Sequence, residues 1–149
     1  MNSLVGLSIG QPWIDMILRG AKSMEIRSWD VKRRGEIALH ASWYVDFPIS
    51  YFYGYATPWV LARGKIVAVA EITKVVLLDE NAWQDSLLEH RQPLPFAGGC
   101  YGICLSNIRV LSSGVRCRGR PGLFPLPEDV IKKIAVLLPT SVVSRRNPS

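Results

Sequence analysis

Hydrophobic and polar positions change period several times along this chain, and each change marks an element. Leu4 to Ile9 has strand-like composition and stops at Gly10-Gln11-Pro12. Pro12 suits the first turn of a helix, where its missing N–H is no loss. Trp13, Ile14, Ile17 and Leu18 then recur at helical spacing, with Gly20 as the C′ residue. Such a helix is about two turns long and needs a sheet to hold it. From Ser23 the period becomes two: Met24, Ile26 and Ser28 face one way, Glu25, Arg27 and Trp29 the other. A basic hairpin or loop, Asp30 to Gly35, leads to a second alternating strand, Glu36 to Ser42. Its core set is Ile37, Leu39 and Ala41, opposed by Ala38, His40 and Ser42.

Beyond Trp43 the periodicity is lost. Trp43 to Ala62 is rich in aromatics, Gly and Pro and predicts an irregular insertion or a loop with a short helix. Ile66 to Leu77 is the longest strand, so β-branched that a central position is expected. Asp79 to Glu89 predicts a helix carrying Trp83, Leu87 and Leu88, and Pro93 to Gly99 a loop rich in breakers. Three strands follow, Tyr101–Leu105, Ile108–Leu111 and Val115–Arg118, and Pro127 starts a last helix with Val130, Ile131, Ile134 and Leu138 on one side. From Pro139 onward a frayed tail is expected. Strands dominate, and the helices are short and peripheral. The pattern therefore predicts a mainly β (α+β) domain, a small and mostly antiparallel barrel with a few covering helices. A doubly wound βαβ fold is excluded on one count: Gly6, Gly10 and Gly20 match neither GxGxxG nor GxxxxGK[ST] after a strand.

Bulk numbers narrow the class. The 149 residues suit one domain with a real core; 48% are hydrophobic and 20% charged, a soluble globular composition. A formal charge of +6 favours polyanionic partners. No apolar run reaches the roughly 18 residues a bilayer span needs, and no basic n-region leads into an apolar h-region as in a secretory signal. Cys100, Cys104 and Cys117 cannot all pair and none lies in CxxC, so reduced thiols in a cytoplasmic protein are expected. With only His40 and His90 besides, a structural zinc site is not expected.

The candidate chemistry lies where alternation turns polar residues away from the core. Lys22 follows a helix C-terminus, where carbonyl dipoles accept a cation; it serves either as a C-cap charge or as a ligand contact whose pKa, if desolvated beside Arg27, falls toward base or nucleophile chemistry. Glu25 and Arg27 share a strand face. They form either a partly buried ion pair or an acceptor for a base amino group beside a bidentate phosphate grip. Two-metal hydrolysis would need Asp15, Asp30 or Glu71 near Glu25 as well. Trp13 has core spacing, whereas Trp29 sits on the polar face and is the better stacking surface. His40 and Ser42 share a face, and a satisfied structural histidine competes with a ligand contact. No nucleophile elbow surrounds any serine, so the pattern gives no support to a Ser-His-carboxylate triad. Two basic groups, Lys32-Arg33-Arg34 and Arg109, Arg116, Arg118 and Arg120, are either solvated faces or the two halves of a phosphate track.

Leu7-Ser8-Ile9-x-Gln11-Pro12-Trp13, Gly20-x-Lys22-x-x-Glu25-x-Arg27-x-Trp29, Arg34-Gly35 and His40-Ala41-Ser42 together resemble the ASCH domain, a family with a PUA-like β-barrel. Tyr101-Gly102 and Arg118-Gly119-x-x-Gly122-Leu123-Phe124 fit as well, so the resemblance runs from about Leu4 to Leu138. It implies one domain over residues 1–138 with a tail at 139–149, and a basic cleft around the GxKxxExR motif. That cleft would hold RNA or a nucleotide-like ligand through Lys22, Glu25, Arg27, Trp29, Arg34, His40, Ser42, Arg118 and Arg120. Some members of the family act as ribonucleases or as N4-acetylcytidine amidohydrolases, which makes Lys22 and Glu25 the catalytic candidates if the chain is an enzyme. The amidohydrolases use a Lys, a Thr and a Glu. Lys22 matches the Lys, Glu25 stands where the Thr falls, and Glu80 and Glu89 are the nearest positions to their Glu. A divalent metal enters only under the ribonuclease reading.

Overall fold

Gln11-Pro12 ends β1 (Val5–Gln11) and α1 (Trp13–Leu18) follows at once, as the shift from period two to helical spacing requires. The computed structural model describes residues 3–139. Gly20, at φ +81°, supplies the left-handed residue that turns the chain out of α1. Then come β2 (Met24–Arg27), β3 (Gly35–Val45), α2 (Phe47–Phe52), a 3₁₀ turn at Pro58–Val60 and β4 (Lys65–Leu78). The chain continues with α3 (Glu80–Asp85), α4 (Leu87–His90), β5 (Cys100–Arg116), β6 (Leu123–Pro125) and α5 (Glu128–Leu137). No helix among the described residues is long and apolar enough to cross a membrane.

The six strands form one sheet in the order β2-β5-β4-β3-β1-β6. Among the described strands only β1 and β3 run parallel; every other pair is antiparallel. The sheet curls until β2 approaches β1, where the Arg27 guanidinium donates to the Ser8 carbonyl at 2.8 Å. Inside the curl lies the main core: Leu7 and Ile9 of β1, Ile37, Leu39 and Ala41 of β3, Ile103 and Leu105 of β5, with Ile14 and Ile17 of α1.

A second core lies on the outer face. There α5 sets Val130 and Ile134 against Ala38, Ile66, Val69, Leu111 and Val115, and Phe124 of β6 joins them. β3 is therefore buried on both faces, and Ala38 and His40, read as opposite the core, lie inside this outer layer. A third cluster, Met24, Leu78 and Trp83, seats the α3–α4 segment.

Two further expectations change in the structure. The helix read over Asp79–Glu89 breaks at Ser86 into α3 and α4; Ser bonds readily to nearby backbone and favours such breaks. The break aims the backbone at the end of α4 toward β2, where the Glu89 carbonyl accepts from Ser23 N at 3.0 Å. The three strands read between Tyr101 and Arg118 merge into one long β5 that ends at Arg116, and its register shifts against β4 absorb the polar Ser106-Asn107 interruption. All three cysteines are free, and burial pushes each thiol's pKa up. The tail expected beyond Pro139 lies outside the described residues.

Candidate nucleic-acid interface

A line of charges runs from the interior to the surface, laid down by the GxKxxExR spacing. After α1 the backbone N–H groups of Ala21 and Lys22 both bond the Met16 carbonyl, which turns the Lys22 side chain inward. That side chain has 0% exposure. Its Nζ donates to the His90 carbonyl at 2.6 Å, lies 3.6 Å from Glu25 Oε1 and sits 5.0 Å from the Trp13 ring centroid. Burial lowers the pKa of Lys22, and the nearby Glu25 carboxylate opposes that fall. Glu25 Oε2 in turn lies 3.2 Å from Arg27 Nη2, the nitrogen that reaches Ser8. Alternating signs are what make such burial tolerable, since each charge has an opposite neighbour in place of lost water. Two atoms in the line, Glu25 Oε1 and Arg27 Nε, have no hydrogen-bond partner among the described residues.

Arg27 ends the line at a cleft of about 520 Å³. Ser8, His40, Ser42 and Trp43 of β1 and β3 form one side, and the loop from Arg118 to Gly122 forms the other. His40 is sealed at 1% exposure. Its Nε2 is 2.7 Å from the Cys117 carbonyl, an acceptor only, so Nε2 carries the proton; Nδ1 then accepts from the Ser8 hydroxyl at 2.9 Å. Burial lowers the His40 pKa and the bond to Cys117 partly opposes this, so the ring is neutral at pH 7. Trp43 is 69% exposed at the cleft rim, with the Arg63 guanidinium 5.5 Å from its ring centroid. Arg118 and Arg120 are exposed, and among the described residues neither has a carboxylate within ion-pair distance. The cleft thus offers cationic forks, hydroxyls and an indole face in one place.

The sequence matches the family model of the ASCH domain over residues 7–116. The chain belongs to the ASCH domain family. Among solved structures it is similar to the ASCH protein of Zymomonas mobilis, at 13% identity and a TM-score of 0.65, over 92% of this chain and 96% of that one. A single-residue mutant of that protein matches at 13% identity and a TM-score of 0.66, over 93% of this chain and 100% of that one. A second mutant matches at 14% identity and a TM-score of 0.65, over 92% and 97%. Identities this low show a shared fold. None of the curated proteins matches the sequence.

Of the residues singled out from the sequence, this ASCH domain gathers Arg27, His40, Ser42, Arg118 and Arg120 around one cleft. Lys22 and Glu25 stand behind Arg27, enclosed, with their contacts directed to it and to the His90 carbonyl. Trp29 is half-buried against the main core. Arg34 turns back on its own loop and donates to the Val31 and Arg33 carbonyls. Lys32 pairs with Asp30, and Arg109 pairs with Glu36 and lies 4.0 Å from Glu71, so neither adds free charge to the cleft. Arg116 lines a neighbouring surface with Arg118 and Arg120. The carboxylates weighed as metal partners lie elsewhere: Asp15 is bonded to Arg19 and Tyr55, Asp30 to Lys32, and Glu71 to Asn107. Among the described residues no His, Cys, Asp and Glu side chains cluster as a metal site. Sequence reasoning missed Ser8, Trp43 and Gly119. Ser8 had a signal, since it alternates with Leu7 and Ile9 and so faces off the core; Trp43 had none, lying where periodicity stops.

Proposed function

We propose that this ASCH domain binds RNA, or a nucleotide excised from it, in the Arg27–Arg118–Arg120 cleft. The observation that carries the reading is a pair of arginines, Arg118 and Arg120, with no carboxylate partner among the described residues, lining one cleft with the exposed indole of Trp43. Guanidinium forks match phosphate oxygens in bidentate geometry, and an indole stacks on any base. Arg27 is the more selective contact, because its orientation is fixed by Glu25 and the Ser8 carbonyl before a ligand arrives. Lys22 acts from behind as a positioning residue, holding the Glu25 carboxylate that holds Arg27.

The test is a salt titration of a short fluorescent RNA. Three phosphate contacts predict a slope of log K against log salt of about −2 on single-stranded RNA. Replacing Arg118 and Arg120 together by Ala should leave a slope below about −1 in magnitude. Binding without a salt slope would remove phosphate recognition and with it this reading.

A further inference from the structure

Ser8 and His40 make a contact that RNA binding does not use. The Ser8 hydroxyl lies 2.9 Å from His40 Nδ1, and the opposite ring nitrogen is fixed as N–H by the Cys117 carbonyl at 2.7 Å. Nδ1 therefore presents a lone pair to the serine proton, the arrangement of nucleophile, base and orienting group found in acyl-transfer sites. A merely structural histidine would be satisfied by any buried donor. Here the donor is a half-buried serine that lines the 520 Å³ cleft.

The covering loop strengthens the assignment. A Cβ added to Gly119 would sit 2.6 Å from His40 Cε1, 2.8 Å from Nδ1 and 2.9 Å from Ser8 Oγ, so only glycine lets the loop come this close. Among the described residues the Gly119 N–H makes no hydrogen bond, so the loop packed on the serine carries an unused backbone donor. Arg27, bonded to the Ser8 carbonyl, adds positive charge next to it. Donors and charge placed where a negative oxygen would develop are what an acyl-transfer transition state needs.

We propose that Ser8 is a nucleophile activated by His40, and that the cleft hydrolyses carboxylic esters carried on phosphate-bearing ligands. Ser8 Oγ bonds to the ester carbonyl carbon as its proton passes to Nδ1. The tetrahedral adduct collapses, the bond to the leaving alcohol breaks, and the alcohol departs with that proton. Water then adds to the acyl-serine and gives a proton to Nδ1, which returns it to Ser8 Oγ as the carboxylic acid leaves. A carbonyl behind the imidazole orients it but does not neutralise the imidazolium as a carboxylate would, so esters are the fitting acyl group rather than amides. Arg118 and Arg120 set the preference for an anionic carrier. The inference does not depend on RNA binding.

The full chain is treated with a fluorophosphonate, which labels activated serines, and the adduct is mapped by mass spectrometry. Hydrolysis of O-acetyl-AMP and O-acetyl-adenosine is followed in parallel. Label on Ser8 is expected, together with faster turnover of the phosphate-bearing ester and a preference erased in the Arg118→Ala/Arg120→Ala double variant. Ser8→Ala should lose about a hundredfold in rate. Absence of label on Ser8 in the wild type overturns the proposal whatever the variants do, and so does hydrolysis at the wild-type rate in a folded Ser8→Ala. Hydrolysis without RNA affinity would sink the RNA reading alone; RNA affinity without Ser8 labelling would sink this one alone.

Discussion

The Lys22 ammonium donates to the main-chain carbonyl of His90, a residue far along the sequence, at 2.6 Å inside the protein. That bond ties the turn after α1 to the end of α4, and it places the ammonium where Glu25 needs a cation. Lys22→Met keeps the aliphatic volume and removes the charge, leaving the Glu25 carboxylate with Arg27 alone. Removing one partner of a buried pair costs about 3–5 kcal/mol. For a chain of this length that is a fall in Tm of about 10 °C, read by circular dichroism. Adding Glu25→Gln should recover part of the loss, because a neutral amide needs no cation. Equal melting of Lys22→Met and the wild type would show that the line of charges does not stabilise the fold.

Arg27 and Arg33 are both arginines near the motif, and they should behave differently. Arg27 is oriented by Glu25 and the Ser8 carbonyl at the cleft, whereas Arg33 donates to the Ser3 and Glu36 carbonyls at the surface. Arg27→Ala should weaken RNA affinity about 30-fold, near 2 kcal/mol, as losing a buried charged contact does. Arg33→Ala should change it less than about threefold, since an exposed contact is screened. Arg27→Ala should also lower the Tm by a few degrees by leaving Glu25 half-paired. Equal losses of affinity for the two variants would mean binding through diffuse surface charge.

Much of the candidate site was legible in the sequence because its parts are close neighbours there. Gly20, Lys22, Glu25 and Arg27 follow a helix end and an alternating strand, and local periodicity alone puts Glu25 and Arg27 on one face. Arg116 and Arg118 could be read as outward-facing, but only the return of the chain through β5 to the rim brings Arg118 to Ser8. His40 lies on the face of β3 turned away from the main core, as the alternation predicts, yet it is buried. Alternation reports which residues share a face, not whether a second layer covers it, and here α5 and β6 do. The break at Ser86 and the union of three strands into β5 were invisible for a related reason: both depend on partners distant in sequence. Alternation with Leu7 and Ile9 places Ser8 off the core, but its partner His40 is set only by the pairing of β1 with β3.

Acid should destabilise the protein through its histidines. Burial lowers the pKa of His40 and of His90; for His90 the Lys22 charge adds to the fall, and its bond to the Trp83 carbonyl opposes it. His90 Nδ1 also accepts from Gln92 N at 2.9 Å, a bond that protonation would break. Each folded-state pKa lies below the unfolded value of about 6.5. The unfolded chain therefore binds more protons in that interval, and stability rises with pH across it. The contribution is complete above pH ~6.5 and is lost as the pH falls toward each folded-state pKa. Ring-proton NMR titration should give midpoints below the ordinary histidine value for both residues, and the urea midpoint should drop between pH 7.5 and 5.5. Midpoints at or above the ordinary value would contradict the burial argument.

Two tryptophans offer the sharpest separation of fold from ligand contact. Trp43 is 69% exposed at the cleft rim and packs with Arg63, while Trp29 is half-buried against the main core. Stacking a base on an aromatic ring is worth about 1–3 kcal/mol by alanine substitution. Trp43→Ala should therefore weaken binding of a short RNA by roughly tenfold or more, with the Tm nearly unchanged. Trp29→Ala removes packing against β-strand residues of the core and should lower the Tm by several degrees, with affinity per folded molecule preserved. RNA titration and thermal melting of the same two preparations read both effects. The sequence alone favoured Trp29 as the stacking surface, so an affinity loss confined to Trp29→Ala would restore that assignment and remove Trp43 from the interface.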